Sequence, residues 1–252
     1  MKAIDLNVDI GEGYPNDAEL LNFATSANVC CGVHAGSAEL TAETVALCRV
    51  KQIRVGAHPG YPDRAGMGRQ PLSTENQRDY LSSVLQQIRD FHAEYGAAYV
   101  KPHGGFYNDT GQPISAGWDS MAKYTTASSP YEAGGFALSL VPGTGMLTMA
   151  LRITKLPLMG LPRTMHDPIS QRAGVPFIRE GFGDRAYRED GTLVPRGQPD
   201  AVLADPISVR GQVLRLANDV DSICLHGDTP DCLEFAELIY AALTDAGFEV
   251  RA

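Results

Sequence analysis

The chain has 252 residues, 44% of them hydrophobic, which is enough to bury the core of one α/β barrel spanning residues 1–252 as a single domain. Its net charge of −9 argues against nucleic acid or an anionic membrane as a principal partner, since either would repel the average field of the protein. Met1-Lys2-Ala3-Ile4-Asp5 runs into charge without a signal-peptide stretch, and no later segment approaches the roughly 18 uninterrupted apolar residues of a membrane span. With five cysteines and no C-x-x-C spacing, the expectation is a cytoplasmic protein with reduced thiols.

In chain order, the first predicted strand is Ile4–Ile10, where Asp5, Asn7 and Asp9 alternate with Leu6, Val8 and Ile10. Gly11-Glu12-Gly13 follows, without the G-x-G-x-x-G turn of a dinucleotide-binding sheet. A second run, Ala27–Gly32, carries Asn28 and leads to His34, and Ser37 is a candidate N-cap for the next helix. Cys31 ends this run with no base assignable to it, so it is read as packing. The third run, Ile53–Ala57, leads to His58, Asp63 and Arg69. A helix is predicted over Asn76–Tyr95 from apolar residues at helical spacing, opened by Thr74 with Gln77 as a capping box.

Ala98–Pro102 is the fourth predicted strand, followed by His103 and Tyr107. Residues Asp109–Gly135 lack periodicity and read as an irregular excursion, after which Ala137–Val141 is the fifth strand. Gly143-Thr144-Gly145 lacks the Lys-Ser/Thr of a P-loop. The proline-punctuated stretch Ile153–Arg172, with His166, reads as a second surface excursion. Val175–Arg179 is the sixth strand, followed by Glu180, Asp184 and Arg185. A helix opens at Asp205-Pro206, Ser222–Leu225 is the seventh strand with His226 and Asp228 beyond it, and a last helix runs from Thr229-Pro230 to Gly247. Strands alternating with helices predict a parallel, TIM-barrel-like α/β barrel of seven strands.

Strand after strand ends in polar residues, and the carboxyl ends of the strands of one parallel barrel converge. The inward polar face of the first strand marks a site rather than a packing layer, because buried polar groups are costly unless paired or solvated. Two chemistries fit. In one, His34 and His58 with Asp9 hold a divalent metal that acidifies a water for attack on an amide carbonyl. In the other, carboxylate and histidine act as acid and base without metal, with Lys101 and Arg185 holding an anionic group.

DLNVDIGEG from Asp5, ANVCCGVHAG from Ala27, GAHPGYPDRAGMGR from Gly56, VKPHGGFYN from Val100, EGFGDRAYREDGTLVPR from Glu180 and ICLHGD from Ile223 occur in register along nearly the whole chain. In these motifs the sequence resembles the LamB/YcsF family. The resemblance implies a barrel of the glycoside hydrolase/deacetylase type. It also implies ATP-dependent opening of the lactam 5-oxoproline to L-glutamate, performed with partner subunits B and C of 5-oxoprolinase. On that expectation Asp9, Lys101, His103 and Asp184 are candidate catalytic residues, with Asp9 or His103 activating water. Asn7, Glu12, Asn28, Arg69, Tyr107, Glu180, Arg185 and His226 are candidate substrate contacts. Ser37 stands where the family carries Asp, and the two excursions are unlike the family. The rival expectations are a stand-alone metal-dependent amidase or deacetylase and a binding subunit without chemistry of its own.

Overall fold

In the computed structural model, residues 2–113, 141–229 and 231–252 are described. The elements are β1 (Ala3–Ile10), α1 (Asp17–Leu20), β2 (Ser26–Cys30), α2 (Ala38–Val50), β3 (Arg54–His58), α3 (Gln77–Tyr95), α4 (Gly104–Thr110), α5 (Thr144–Thr154), β4 (Leu158–Gly160), α6 (His166–Ala173), β5 (Phe177–Phe182), α7 (Pro206–Leu216), β6 (Ser222–His226), α8 (Cys232–Asp245) and β7 (Glu249–Val250). The strands pair in parallel in the order β3-β2-β1-β6-β5-β4, and β7 adds to the start of β1. Val100 forms a parallel bridge to Ala57 in β3 and another to Leu158 in β4, so the two ends of the curled sheet meet across it. No described helix is long and apolar enough to cross a membrane.

The alternation read in β1 holds. Leu6, Val8 and Ile10 join the main apolar core with Ile88, Leu147, Val213 and Ile239 from the surrounding helices. Asp5, Asn7 and Asp9 turn inward, where every rung finds partners. Asp5 accepts from the hydroxyls of Thr25 and Ser26 at 2.7 Å each; Asn7 donates to Ser222 at 2.7 Å and accepts from Asn28 at 2.6 Å. The interior of the sheet is thus a hydrogen-bonded polar column, permissible because its members satisfy one another.

Three expectations need correction. The segment predicted as the Ala98–Pro102 strand pairs only through the bridges at Val100, although backbone bonds on both sides hold it parallel. The 153–172 stretch is not an excursion: it contributes the end of α5, β4 and most of α6, and His166 within it is fully buried. β4 is only three residues long and lies between Pro157 and Pro162, so it leaves no alternation to read. β5 runs on to Phe182, beyond the predicted end at Arg179, because Glu180 is an inward-facing charge rather than the end of the strand. The expected Ala137–Val141 strand and the 109–135 excursion fall almost wholly outside the described residues.

The helix starts follow local chemistry. Ser37 accepts from the Leu40 amide at 3.1 Å, and Asp205 accepts from the amides of Ile207 and Ser208, as predicted. At α3 the reciprocal pair is Ser73 with Asn76, not Thr74 with Gln77. α8 begins at Cys232, without a side-chain cap.

Candidate functional site

The carboxyl ends of the strands open onto a cavity of about 220 Å³ whose lining includes Asp9, Glu12, His58, Lys101, His103 and His226. At its floor Asp9 Oδ1 accepts from Lys101 Nζ at 2.8 Å and Asn28 at 2.7 Å, and Oδ2 lies 3.4 Å from His58 Nε2. Burial would raise the pKa of Asp9, but His58 and Lys101 outweigh it and hold the carboxyl well below its usual range. Lys101 is 1% exposed; it also meets Glu180 Oε1 at 2.7 Å and lies 3.0 Å from Cys224 Sγ. Against the cost of burial, Asp9 and its other neighbours keep Lys101 charged, with a pKa well above normal.

Asn7, Asn28, Glu180 and Asp184 were expected to touch substrate or act on it. The structure sets all four behind the cavity wall, where they support residues that line it. Glu180 accepts from the Tyr107 hydroxyl at 3.0 Å, while Tyr107 itself reaches the cavity. Asp184 stands behind His226, both of its oxygens 3.0 Å from Nδ1. A carboxylate only accepts, so His226 carries a proton on Nδ1, and Nε2 lies beside the cavity, 3.8 Å from Asp9 Oδ2. Burial would raise Asp184, but His226 and the nearby arginines keep it ionised. The ring of Phe182 stacks on His226 at 5.5 Å and fixes its plane.

A second group of residues surrounds Glu12, whose Oε1 lies 3.2 Å from His34 Nε2, 3.3 Å from His103 Nδ1 and 3.9 Å from His58 Nε2. Burial opposes ionisation, but the hydrogen bond from His34 and the adjacent imidazoles bring the pKa of Glu12 down to about 2. His34 does not line the cavity; it lies stacked on His103 at 3.9 Å. The close packing explains two glycines of the GAHPGYPDRAGMGR motif: a Cβ at Gly60 would lie 2.5 Å from the His34 ring, and one at Gly68 2.8 Å from His34 Cβ. Among the described residues, candidate metal donors gather in two sets, Glu12 with His34, His58 and His103, and Asp9 with Cys224 and His226.

The mouth of the cavity is cationic. Arg69 Nη2 donates to Asp228 at 2.8 Å, Arg196 donates to the same carboxylate oxygen, and Arg185 donates to the carbonyls of Ala201 and Val194. Three guanidiniums against the carboxylates of Asp228 and Asp184 leave an excess of positive charge. Burial and the neighbouring Arg196 push Arg185 down to about 10. Sequence reasoning gave Arg196 no role, although it closes the EGFGDRAYREDGTLVPR motif; the segment folds back through antiparallel bridges Arg185–Val202 and Tyr187–Leu193, which the sequence does not announce. Cys31, considered as a nucleophile, is unsuited to that role, because burial pushes its thiol pKa well up.

Comparison with known proteins agrees with the motifs. The chain is 36% identical over 270 residues to the A subunit of 5-oxoprolinase from Neisseria meningitidis serogroup C, covering all of both chains. It superposes on the crystal structure of a lactam utilization protein from Thermus thermophilus with a TM-score of 0.75 at 29% identity, covering 100% of each. A pneumococcal exo-β-D-N-acetylglucosaminidase catalytic module shares the fold alone, with a TM-score of 0.56 at 10% identity over 98% of this chain and 85% of the module. The model of the LamB/YcsF family matches residues 4–120 and 144–252, and the chain belongs to that family.

Proposed function

We propose that the chain is the lactam-opening component of a 5-oxoprolinase, converting 5-oxo-L-proline to L-glutamate with subunits B and C and ATP. The observation that carries this reading is the juxtaposition, in one small cavity, of an oriented His226–Asp184 pair with an excess of guanidinium charge from Arg69, Arg185 and Arg196. A five-membered lactam bearing one carboxylate matches that layout: the guanidiniums take the carboxylate or a phosphoryl group, and the histidine faces the ring.

A lactam is a stable amide, so ATP enters by phosphorylating the carbonyl oxygen. Water then adds to the activated carbon, the C–N bond breaks with the nitrogen taking a proton, and a second water hydrolyses the resulting acyl phosphate to the γ-carboxylate of glutamate and inorganic phosphate. His226 is better suited than Asp9 or His103 to take the proton from the first water. In the neutral ring its Nε2 is a free acceptor beside the cavity, whereas one oxygen of Asp9 is committed to Lys101 and Asn28, and His103 Nδ1 is turned toward Glu12 and His58. Asp184 fixes the tautomer of His226 and stabilises the imidazolium.

The test is glutamate release from 5-oxoproline by the chain with and without the partner subunits, and with and without ATP. Release that needs both supports the proposal. Turnover by the chain alone without ATP overturns it in favour of a stand-alone amidase. Variants at His226 that weaken binding with no separate loss of turnover favour a binding subunit.

A further inference from the structure

His58 Nδ1 lies 2.8 Å from the Lys101 carbonyl, and His103 Nε2 lies 2.9 Å from the Met67 carbonyl. A carbonyl only accepts, so each ring spends one N–H on the backbone, and in the neutral ring the other nitrogen is bare. Those two bare nitrogens, His58 Nε2 and His103 Nδ1, face each other at 2.9 Å, with Glu12 Oε1 at 3.9 and 3.3 Å from them. With both rings neutral, three lone-pair donors converge there. A cation among the three would stabilise them, in addition to His34, where burial is outweighed and hydrogen bonds to Cys30 and Glu12 raise the pKa to about 9.

We propose that His58, His103 and Glu12 ligate a divalent transition-metal cation of the zinc type at the floor of the cavity. Metal–ligand bonds near 2.0–2.1 Å in a tetrahedral site set donors about 3.3 Å apart, and the separations in this trio bracket that value. Two imidazoles with one carboxylate suit zinc, cobalt or nickel better than magnesium or calcium, which favour oxygen. The backbone carbonyls behind both rings are the outer partners such ligands use, and His34 Nε2 lies 3.2 Å from Glu12 Oε1. With three protein ligands, one position faces the cavity, where the cation would polarise a carbonyl oxygen. The other donor set, around Asp9 and Cys224, already contains a cation, Lys101 Nζ, at 2.8 and 3.0 Å.

The test uses tag-free full-length protein stripped with a chelator and titrated calorimetrically with Zn²⁺, with Co²⁺ absorption as a second probe. Binding is read without turnover, so it stands or falls independently of the lactam reading. One equivalent is expected, weakened about 100-fold or more by His58→Asn or His103→Asn and unchanged by His92→Gln on α3. No saturable binding by folded protein, or full affinity in the double variant, overturns the site. Because substitutions at these buried positions can unfold the chain, the wild-type protein supplies a further readout, nitrogen NMR of its imidazoles. Zn²⁺ should move His58 Nε2 and His103 Nδ1 from bare to metal-bound shifts; imidazole nitrogens unaltered by Zn²⁺, or a stable imidazolium in the pair, contradict it.

Discussion

His166 shows how one side chain can shape the pH response of the protein. Its Nδ1 accepts from the Leu161 amide at 3.1 Å and its Nε2 lies 3.1 Å from the Thr110 hydroxyl, a pairing that suits the neutral ring, and burial brings its pKa down to about 3. The unfolded chain protonates the same ring near pH 6.5, so the stability this residue contributes is complete above that pH and is lost as pH falls toward 3. Urea unfolding at pH 7, 6 and 5 should show a component of up to about 1.4 kcal/mol per pH unit that His166→Gln removes. Lys101 poses a different problem, because its loss strands Asp9 and Glu180 in the interior. Lys101→Met should cost about 3–5 kcal/mol in urea unfolding, and adding Glu180→Gln should restore part of it. At the reacting centre, Asp184→Asn should lower kcat by on the order of 10²-fold or more with little change in KM, since it disturbs the tautomer of His226 and not the guanidiniums.

Among the elements, α2 offers the cleanest test of a local signal. Ser37→Ala removes the acceptor for the Leu40 amide and should cost about 1 kcal/mol in thermal or urea unfolding, whereas Ser37→Asp should retain the cap. That cap was legible in the sequence, as were β1 and the clustering of chemistry at strand ends, because alternation, capping residues and polar strand ends are short-range patterns. What escaped was long-range. β4 is too short for periodicity, Glu180 reads as a strand end until Lys101 is seen opposite it, and the tautomers of His58 and His103 depend on carbonyls 43 and 36 residues away. The ranking of site residues changed for the same reason. Sequence marks which polar residues lie near strand ends, but whether Asn7 or Asp184 touches the cavity or braces a neighbour is decided by packing.

On the scale of the whole molecule, the main core cluster runs from Ile4 in β1 to Leu243 in α8, so the first and last elements are stabilised together. Calorimetric unfolding should accordingly give one transition with equal calorimetric and van't Hoff enthalpies; two separable transitions would contradict the single-domain expectation. The seam at Val100 has a further consequence. β1 is laddered over four residues to β2 and five to β6, whereas the segment carrying Val100 is tied to each neighbour by a single bridge and its flanking backbone bonds. Slow deuterium uptake should therefore be found in the laddered strands around β1, while the amides of Val100 and Met159 label earlier through local breathing. Lys101 and His103 come directly after this loosely fastened stave, so the ammonium and the imidazole that organise the cavity are mounted where the wall can yield to an incoming molecule at little cost to the rest of the barrel.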